Sequence, residues 1–377
     1  MTETTPFVLT VNGGSSSIKY ALFTLGADAR LVSKGAVGRI GVAAAVEGIL
    51  DAISPHLTQG SLVGIAHRIV HGGDRFDRPQ RLTPEAVAAL RELTPLAPNH
   101  LPAEIALIEA FVSARPHTPQ VLCFDTAFHR NLPLVSRTLP VPETPGLRRY
   151  GFHGLSYGYL LAELERVAGT AVARGRVVLA HLGNGASLAA VASGQCMDTS
   201  MGLTPAGGLV MSSRSGDLDP GVVTYLARRR NLSTDEAGHL LTHQSGLLGI
   251  SRRSSDMQEL LALEASDAQA RLAVDVFCYQ ARKWIGAFAA ALGGLDTLVF
   301  SGGIGEHAPS VRSRICSELA FLGVQLHEEN NATNAALISK PSAPVLVRVI
   351  PTNEELMMAR EAHAVLSGPG TSTAMAL

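Results

Sequence analysis

The sequence predicts a two-domain α/β protein made by internal duplication, and three observations carry the prediction. The 377 residues suit two domains of roughly 100–200 residues each. A strand–turn–strand pattern opens the chain. Phe7–Val11 is an apolar strand, Asn12–Ser17 a small-residue turn, and Ile18, Tyr20 and Leu22 then alternate with polar or small residues. The pattern recurs at Val177–Ala180, His181–Gly185 and Leu188–Val191, so strands at 8 and 177 lie 169 residues apart. A second pair has nearly the same offset. Leu122–Phe124 leads into Asp125-Thr126-Ala127 and Leu298–Phe300 into Ser301-Gly302-Gly303, with 122 and 298 separated by 176 residues. Two ordered features at similar spacing point to a repeat.

Helices fall between these strands. Thr83 is an N-cap before Pro84 and Glu85, opening a helix through Leu93. Pro102 opens another through Phe111. Ser233 followed by Glu236 reads as a capping box for a helix to about Leu241. A longer helix is predicted from Ala268 to Leu292, ending at Gly293-Gly294 with a buried core stretch from Trp284, and a last amphipathic helix from Glu354 to Leu366. The Gly/Ser/Thr-rich tail from Ser367 reads as frayed.

Composition narrows the function. Hydrophobic residues make up 46% and charged residues 17%, which excludes disorder as a description of the chain. The net charge of −1 and the lack of a basic run argue against nucleic acid as a partner. Cys123, Cys196, Cys278 and Cys316 are widely spaced and form no CxxC pair, which fits a reducing cytoplasm. The segment Met1–Pro6 lacks the basic region of a signal peptide, and no run reaches the ~18 apolar residues of a membrane span.

Four glycine-rich stretches stand out: Asn12–Ser17, His181–Gly185, Gly207-Gly208 with Arg214–Asp217, and Gly302–Glu306. Consecutive backbone amides in such turns form anion nests. None fits the P-loop pattern or a GxGxxG dinucleotide fingerprint. Arg68, beside the turn His71-Gly72-Gly73, and Arg214 suit a carboxylate or a phosphoryl group, the alternative being surface ion pairs. His153 stands between Phe152 and Gly154, where a ligand could come close. Asp125 directly follows a strand and reads as a functional carboxylate or an Asx turn. Lys19 could reach a phosphate or be a solvated strand lysine, and Glu354 could equally be a helix-capping acid.

These residues lie in segments that together resemble the acetate kinase family along nearly the whole chain. The segments are NGGSSSIKY at 12–20, HRIVHGG at 67–73, FDTAFH at 124–129, RRYGFHG at 148–154, HLGNGAS at 181–187, MDTSMGLTP at 197–205, SRSGDLDPG at 213–221, QSGLLGISRRSSDM at 244–257, GGIGEH at 302–307 and PTNEEL at 351–356. The resemblance implies a duplicated actin/hexokinase-like (ribonuclease-H-like) fold with ATP in the interdomain cleft. The first domain would cover 1–148, with the C-terminal helix (354–377) returning to it, and the second 149–353. It implies reversible transfer of a phosphoryl group from ATP to acetate, giving acetyl phosphate and ADP. Mg²⁺ is the implied ion, with Mn²⁺ as an alternative, and the implied protein is a cytoplasmic homodimer.

Carried over residue by residue, the resemblance assigns Arg68 and Arg214 to carboxylate and phosphoryl oxygens, and His153 to the transferring group. It implies that Asp125 organises metal waters or Arg68. Val70, Phe152 and Pro205 would line the methyl pocket. Ser15, Ser17 and Lys19 would lie near the phosphates, and His181, Leu182, Gly183, Asn184 and Gly185 would cradle them. Asp256, Met257 and Gln258, with Gly303, Ile304, Gly305, Glu306 and His307, would hold the adenosine. Asn12 and Glu354 would hold the metal. The chain departs from the family's usual Leu-His-Asn at Asn99-His100-Leu101, which makes a propionate or other short-chain carboxylate kinase the alternative reading. Gln258 and His307 also depart from the usual residues, at the adenosine positions.

Overall fold

In this computed structural model residues 5–14, 17–26, 28–38 and 41–368 are described. The chain divides into two compact units. The first comprises the chain up to Arg130, Gly154–Tyr159 and the chain from Asn353; the second comprises Asn131–His153 and Leu160–Thr352.

Among the described residues the first unit holds six strands: β1 (Thr5–Gly13), β2 (Ser17–Thr24), β3 (Leu31–Gly38), β4 (Gly60–Ile69), β5 (Gln80–Arg81) and β6 (Gln120–Phe124). They lie in the order β3-β2-β1-β4-β6-β5. The β1–β2 and β2–β3 pairs are antiparallel, while β1–β4 and β4–β6 are parallel. Strand alternation sorts the core into two layers. Phe7, Leu9 and Val11 pack with Ile49 and Ile53 of the helix Val42–Leu57 and with Leu107 and Phe111 of the helix Leu101–Ala114. On the opposite face Val8, Ala66, Val121 and Cys123 pack with Met358, Ala359 and Ala362 of the helix Glu354–Ser367.

The second unit holds β7 (Val177–Leu182), β8 (Ala186–Ala192), β9 (Gln195–Thr199), β10 (Thr297–Ser301) and β11 (Leu346–Val349), ordered β11-β10-β7-β8-β9. Here β7–β8 and β8–β9 are antiparallel and β10 is parallel to both β7 and β11. The orders β3-β2-β1-β4-β6 and β9-β8-β7-β10-β11 therefore match strand for strand and sense for sense.

This topology corrects one half of the repeat. The hairpins β1–β2 and β7–β8 correspond, but Leu122–Phe124 and Leu298–Phe300 do not. The counterpart of β10 is β4, and that of β6 is β11. Unequal insertions are the cause. One helix, Val42–Leu57, separates β3 from β4, whereas five helices from Pro220 to Leu292 precede β10. A constant offset cannot survive past the first hairpin.

The predicted helices form where their caps place them. Thr83 Oγ1 accepts from the Ala86 N–H before the helix Pro84–Glu92. The Ser233–Glu236 capping box opens Thr234–His243. Asp267 caps Ala268–Leu292, and Gly293, at φ 71°, closes it. That last helix buries one stripe, including Ala270, Val274, Phe277, Ala281, Ile285 and Phe288, while Trp284 is half-buried. Among the described residues no helix is long and apolar enough to cross a membrane. The four cysteines are buried and none is disulfide-bonded. Of the predicted frayed tail, 369–377 lies outside the described residues.

Phe111 is wholly buried beneath β1 and β4, its ring 5.5 Å from that of His67. Phe111→Ala is expected to lower the stability of the first unit by about 3–5 kcal/mol, read as a shift of the urea midpoint.

Candidate active site

In the first unit, three neighbouring parallel strands deliver polar side chains at their carboxyl ends. This is where open α/β sheets bind ligands. Asn12 ends β1, Arg68 ends β4, and Asp125 directly follows β6, its N–H donating to the Ile69 carbonyl (2.9 Å). Alternation puts all three on the face that the helix Glu354–Ser367 covers, and Glu354 is the first residue of that helix.

Hydrogen bonds link the four. Arg68 Nε donates to Asp125 Oδ1 (3.2 Å) and Nη2 to Oδ2 (2.6 Å), a two-pronged pair, while Nη1 donates to Asn12 Oδ1 (3.2 Å). Asn12 Nδ2 donates to Glu354 Oε2 (3.4 Å). The Asp125 side chain is 1% exposed and that of Arg68 is 17% exposed. Burial opposes the Arg68 charge, but Asp125 and Glu354 outweigh it and raise its pKa above the ordinary value. Burial pushes the Glu354 carboxyl up, with Arg68 pulling it back. Lys19, opposite Asn12 in the β1–β2 register, is exposed; Ser17 is half-buried. Ser15 lies outside the described residues.

Val70, two residues beyond Arg68, is buried, and its N–H donates to Glu104 Oε2 (3.1 Å). Asn99 is exposed and Leu101 wholly buried, so the apolar side chain of this stretch is Leu101 rather than the residue at 99.

In the second unit the hairpin β7–β8 and the loop 205–217 build a second cluster. His153 has a left-handed backbone, φ 58°, uncommon for a non-glycine residue. Its Nδ1 shares a hydrogen bond with Ser187 Oγ (2.8 Å), and its ring stacks on that of His181 at 4.3 Å. Arg214 Nη1 donates to the Pro205 carbonyl (2.8 Å). Gly185 is the point where these groups approach the turn. A Cβ there would lie 3.1 Å from His153 Nε2 and 3.6 Å from Arg214 Nη1. Asn184 accepts from Ser212, at its carbonyl (3.2 Å) and at Oδ1 (3.3 Å). Phe152 and Leu182 are buried.

Gly302–His307 is a short helix opening directly after β10 rather than an open turn. Gly302, at φ 75°, makes this sharp exit, and a Cβ there would meet the Leu182 carbonyl at 2.7 Å. Gly303 faces open space, and its nitrogen lies 3.8 Å from the Cβ position of Gly183, so the two glycine stretches are neighbours. The Glu306 carboxylate accepts from the N–H groups of Gly302 (2.8 Å) and Thr352 (3.1 Å). It braces the backbone of this exit. Ile304 is half-buried, Gly305 buried and His307 exposed. Asp256 caps Met257–Leu263 through the Gln258 and Glu259 N–H groups (2.7 and 3.1 Å); Met257 is buried and Gln258 exposed.

Sequence reasoning passed over three residues. Glu104 shares the apolar face of its helix with Leu101, Ile105 and Ile108, an acid at a core position that was there to be seen. Arg312, with Val311, Ile315 and Cys316, is fully buried in the same way. It donates to the carbonyls of Gly305 (2.8 Å), Glu306 (3.0 Å) and Asn331 (2.7 Å) and to the side chains of Asn331 and Asn334. It thereby pins the helix Gly302–His307. Ser187, one small residue in the strand AlaSerLeu, carried no signal of its own.

Burial pushes the Glu104 carboxyl up to about 8, against Arg68 and the Val70 N–H. It holds His67, bonded to Gln120 (2.6 Å), down at about 4. The folded protein therefore keeps the Glu104 proton between its unfolded value near 4.5 and about 8, while the unfolded chain loses it. Stability from this group is full at low pH and falls as pH rises across that window. Relative to wild type, Glu104→Gln is expected to gain more than ~1 kcal/mol between pH 5 and 8, measured as urea midpoints at each pH.

The model of the acetokinase family matches residues 41–360. The acetate kinase of Rhodopseudomonas palustris is 42% identical over 394 aligned positions, covering 96% of this chain and 98% of that one. The acetate kinase of Deinococcus radiodurans is 41% identical, covering 97% and 99%. Among solved structures, Porphyromonas gingivalis acetate kinase superposes with a TM-score of 0.83 at 34% identity, covering 96% of this chain and all of that one. A propionate kinase from Francisella tularensis superposes at 0.87 with 34% identity and the same coverage. With the family model spanning residues 41–360 and relatives above 40% identity along almost its entire length, the chain belongs to the acetokinase family.

Proposed function

We propose that the protein is a carboxylate kinase that transfers a phosphoryl group reversibly between ATP and acetate, giving ADP and acetyl phosphate. The observation that carries this reading is the engagement of Asp125 by both prongs of Arg68. A kinase acting on a hydroxyl needs a base to take the acceptor's proton. A carboxylate at neutral pH has none to lose, so the acidic group can be committed to holding a cation.

The obstacle for such an acceptor is charge. A carboxylate oxygen must approach the γ-phosphorus of an anion, and the bond to the bridging oxygen of ADP breaks as the new P–O bond forms. Arg68, kept protonated and aimed by Asp125 and Asn12, neutralises acceptor and phosphoryl oxygens. Arg214, anchored through Pro205, does the same in the second unit. His153 donates from Nε2 to the oxygens of the transferring group, where negative charge spreads in the transition state. The amides of Gly183–Gly185 suit the phosphates of the nucleotide, and Gly303 offers its open face to the adenosine.

Mg²⁺ fits the donors present. Asn12 and Glu354 offer oxygens, the ligand type a hard cation takes, and Glu354 is a buried carboxyl whose charge is undercompensated. When bound with its waters, the ion shields the phosphate oxygens; Mn²⁺ can substitute.

Relatives at 38–42% identity carry the name acetate kinase, which favours acetate as the acceptor. One structural observation keeps propionate as the second reading: the likeness to the propionate kinase is as high as to the acetate kinases. A cytoplasmic homodimer accompanies the proposal, the dimer being readable as a doubled mass by light scattering.

Initial rates with MgATP and acetate, propionate or butyrate, trapped as hydroxamates, test the reading. Acetate is expected to give the highest kcat/KM, with propionate within a factor of about 10–200, the worth of one methylene in an apolar pocket. Preference for propionate would move the assignment to the second reading, and the absence of any hydroxamate would end the carboxylate proposal. Arg68→Ala and Arg214→Ala are each expected to lower kcat by about 10²–10³ with little change in melting temperature for Arg214→Ala.

A further inference from the structure

We propose that Glu104 is a positioning residue of the acceptor site: by holding the backbone at Val70 it fixes the wall against which the acceptor's carbon chain rests. The inference deepens the carboxylate-kinase reading and rests on it, and on the place that the family resemblance gives Val70 in the methyl pocket.

Strand β4 ends at Ile69, whose carbonyl accepts from the Asp125 N–H (2.9 Å). Val70 is the first residue past the strand and is 3% exposed. Its N–H donates to a side chain, Glu104 Oε2 (3.1 Å), which comes from the helix Leu101–Ala114. A buried N–H stripped of its acceptor is costly, so this bond decides where the chain runs after β4. The donors that follow are also taken by side chains. The Gly72 N–H donates to Thr126 Oγ1 (3.0 Å) and the Gly73 N–H to His71 Nδ1 (2.9 Å). Val70 stands two residues after Arg68. One short segment therefore carries both the cation for a carboxylate and an apolar side chain for its tail.

Glu104 is placed to hold and not to wander. It is 4% exposed and shares the buried face of its helix with Leu101, Ile105 and Ile108. Among the described residues the bond to Val70 is the one hydrogen bond its side chain makes. Two charges act on it. Arg68, from β4, favours the ionised carboxyl and Asp125, after β6, opposes it; burial outweighs both and pushes the group up to about 8. The β1–β2 hairpin and the helix Val42–Leu57 bring only Gly13, Gly14, Ile18, Val42 and Ala45 to the cavity of about 290 Å³ that Glu104 lines, and none of these carries a charge. A neutral carboxyl accepts from Val70 through its carbonyl oxygen and leaves Arg68 to the acceptor. An ionised one would keep the bond but set a further anion in the field of Arg68.

The test compares two variants. Glu104→Leu nearly fills the same space and lacks the acceptor atom. Its KM for acetate is expected to rise about ten-fold, the worth of one hydrogen bond, with kcat and the KM for MgATP within about two-fold of wild type. The propionate-to-acetate ratio of kcat/KM should rise with it, because a loosened wall admits the extra methylene. Glu104→Gln offers an amide oxygen to Val70 and should recover both the acetate KM and the ratio. Between pH 7 and 9 acetate stays ionised, yet the wild-type acetate KM is expected to climb while that of Glu104→Gln stays flat, a comparison that needs no disruptive variant. Wild-type acetate KM and chain-length ratio in a folded Glu104→Leu protein would overturn the proposal. So would a loss shared equally by acetate and MgATP, a flat wild-type profile, or a climb that Glu104→Gln shares. Hydrogen exchange at the Val70 amide reads the hold without turnover. It should be slow in the wild type and in Glu104→Gln and about a hundred-fold faster in Glu104→Leu; slow exchange in Glu104→Leu would overturn the proposal whether or not carboxylates are turned over. If exchange behaves as expected but no hydroxamate forms from any carboxylate, the functional reading fails and the hold on Val70 stands.

Discussion

A guanidinium and a carboxylate held out of water at the ends of β4 and β6 set the terms for everything around them. Desolvating two charges costs several kcal/mol per ion, and their attraction seldom returns the whole of it. Arg68 and Asp125 are tolerable only because each prong of the guanidinium finds an acceptor, with Asn12 taking the third donor. That requirement fixes three strand ends to within a hydrogen bond of one another. The parallel register of β1, β4 and β6 is what delivers it, since a one-residue slip in any strand would turn its polar residue to the opposite face. The helix Glu354–Ser367 then has to lie on the same face, because Glu354 closes the chain of bonds through Asn12.

The same burial makes the neighbouring acids behave unlike surface carboxylates. Glu104 lies beneath Val70 and shares the field of Arg68, and Glu361 on the C-terminal helix is pushed up to about 7 by burial next to Cys123. Both stay at least partly protonated at neutral pH. A further full negative charge at Glu104 would compete with an anionic acceptor for Arg68. A neutral Glu104 carboxyl braces the backbone at Val70 without drawing on that charge. A site that must accept a carboxylate and a phosphate together is therefore built with fewer ionised acids than its sequence contains.

The sequence made the hairpins, the helix caps and the charged residues legible, for local reasons. Strand-to-glycine transitions at 12–17 and 181–185, the Thr83 and Ser233 caps and the stripe from Ala268 to Leu292 are all written within a few residues of where they act. The counterpart of β6 was not legible. It depends on which strands pair across a sheet, and the helices inserted before β10 displaced the spacing that would have revealed it. The glycines at 302–306 suggest a turn, yet Gly302 starts a helix, because the φ 75° exit and the Glu306 brace are tertiary facts. Motif likeness named His153 and Arg214 without saying what holds them. Ser187 meets the first and the Pro205 carbonyl the second, while Glu104 holds the backbone at Val70 and Arg312 that of the helix Gly302–His307, all through atoms that are distant in sequence.

The two units answer the same problem with different means. In the first, an ion pair aims a cation, and the cost of burying it is met by hydrogen bonds at three strand ends. In the second, Arg214 is anchored on a carbonyl, and His153 meets a hydroxyl and a second imidazole. Both arrangements fix the direction of a donor before any ligand arrives, which leaves little reorganisation for the moment of transfer.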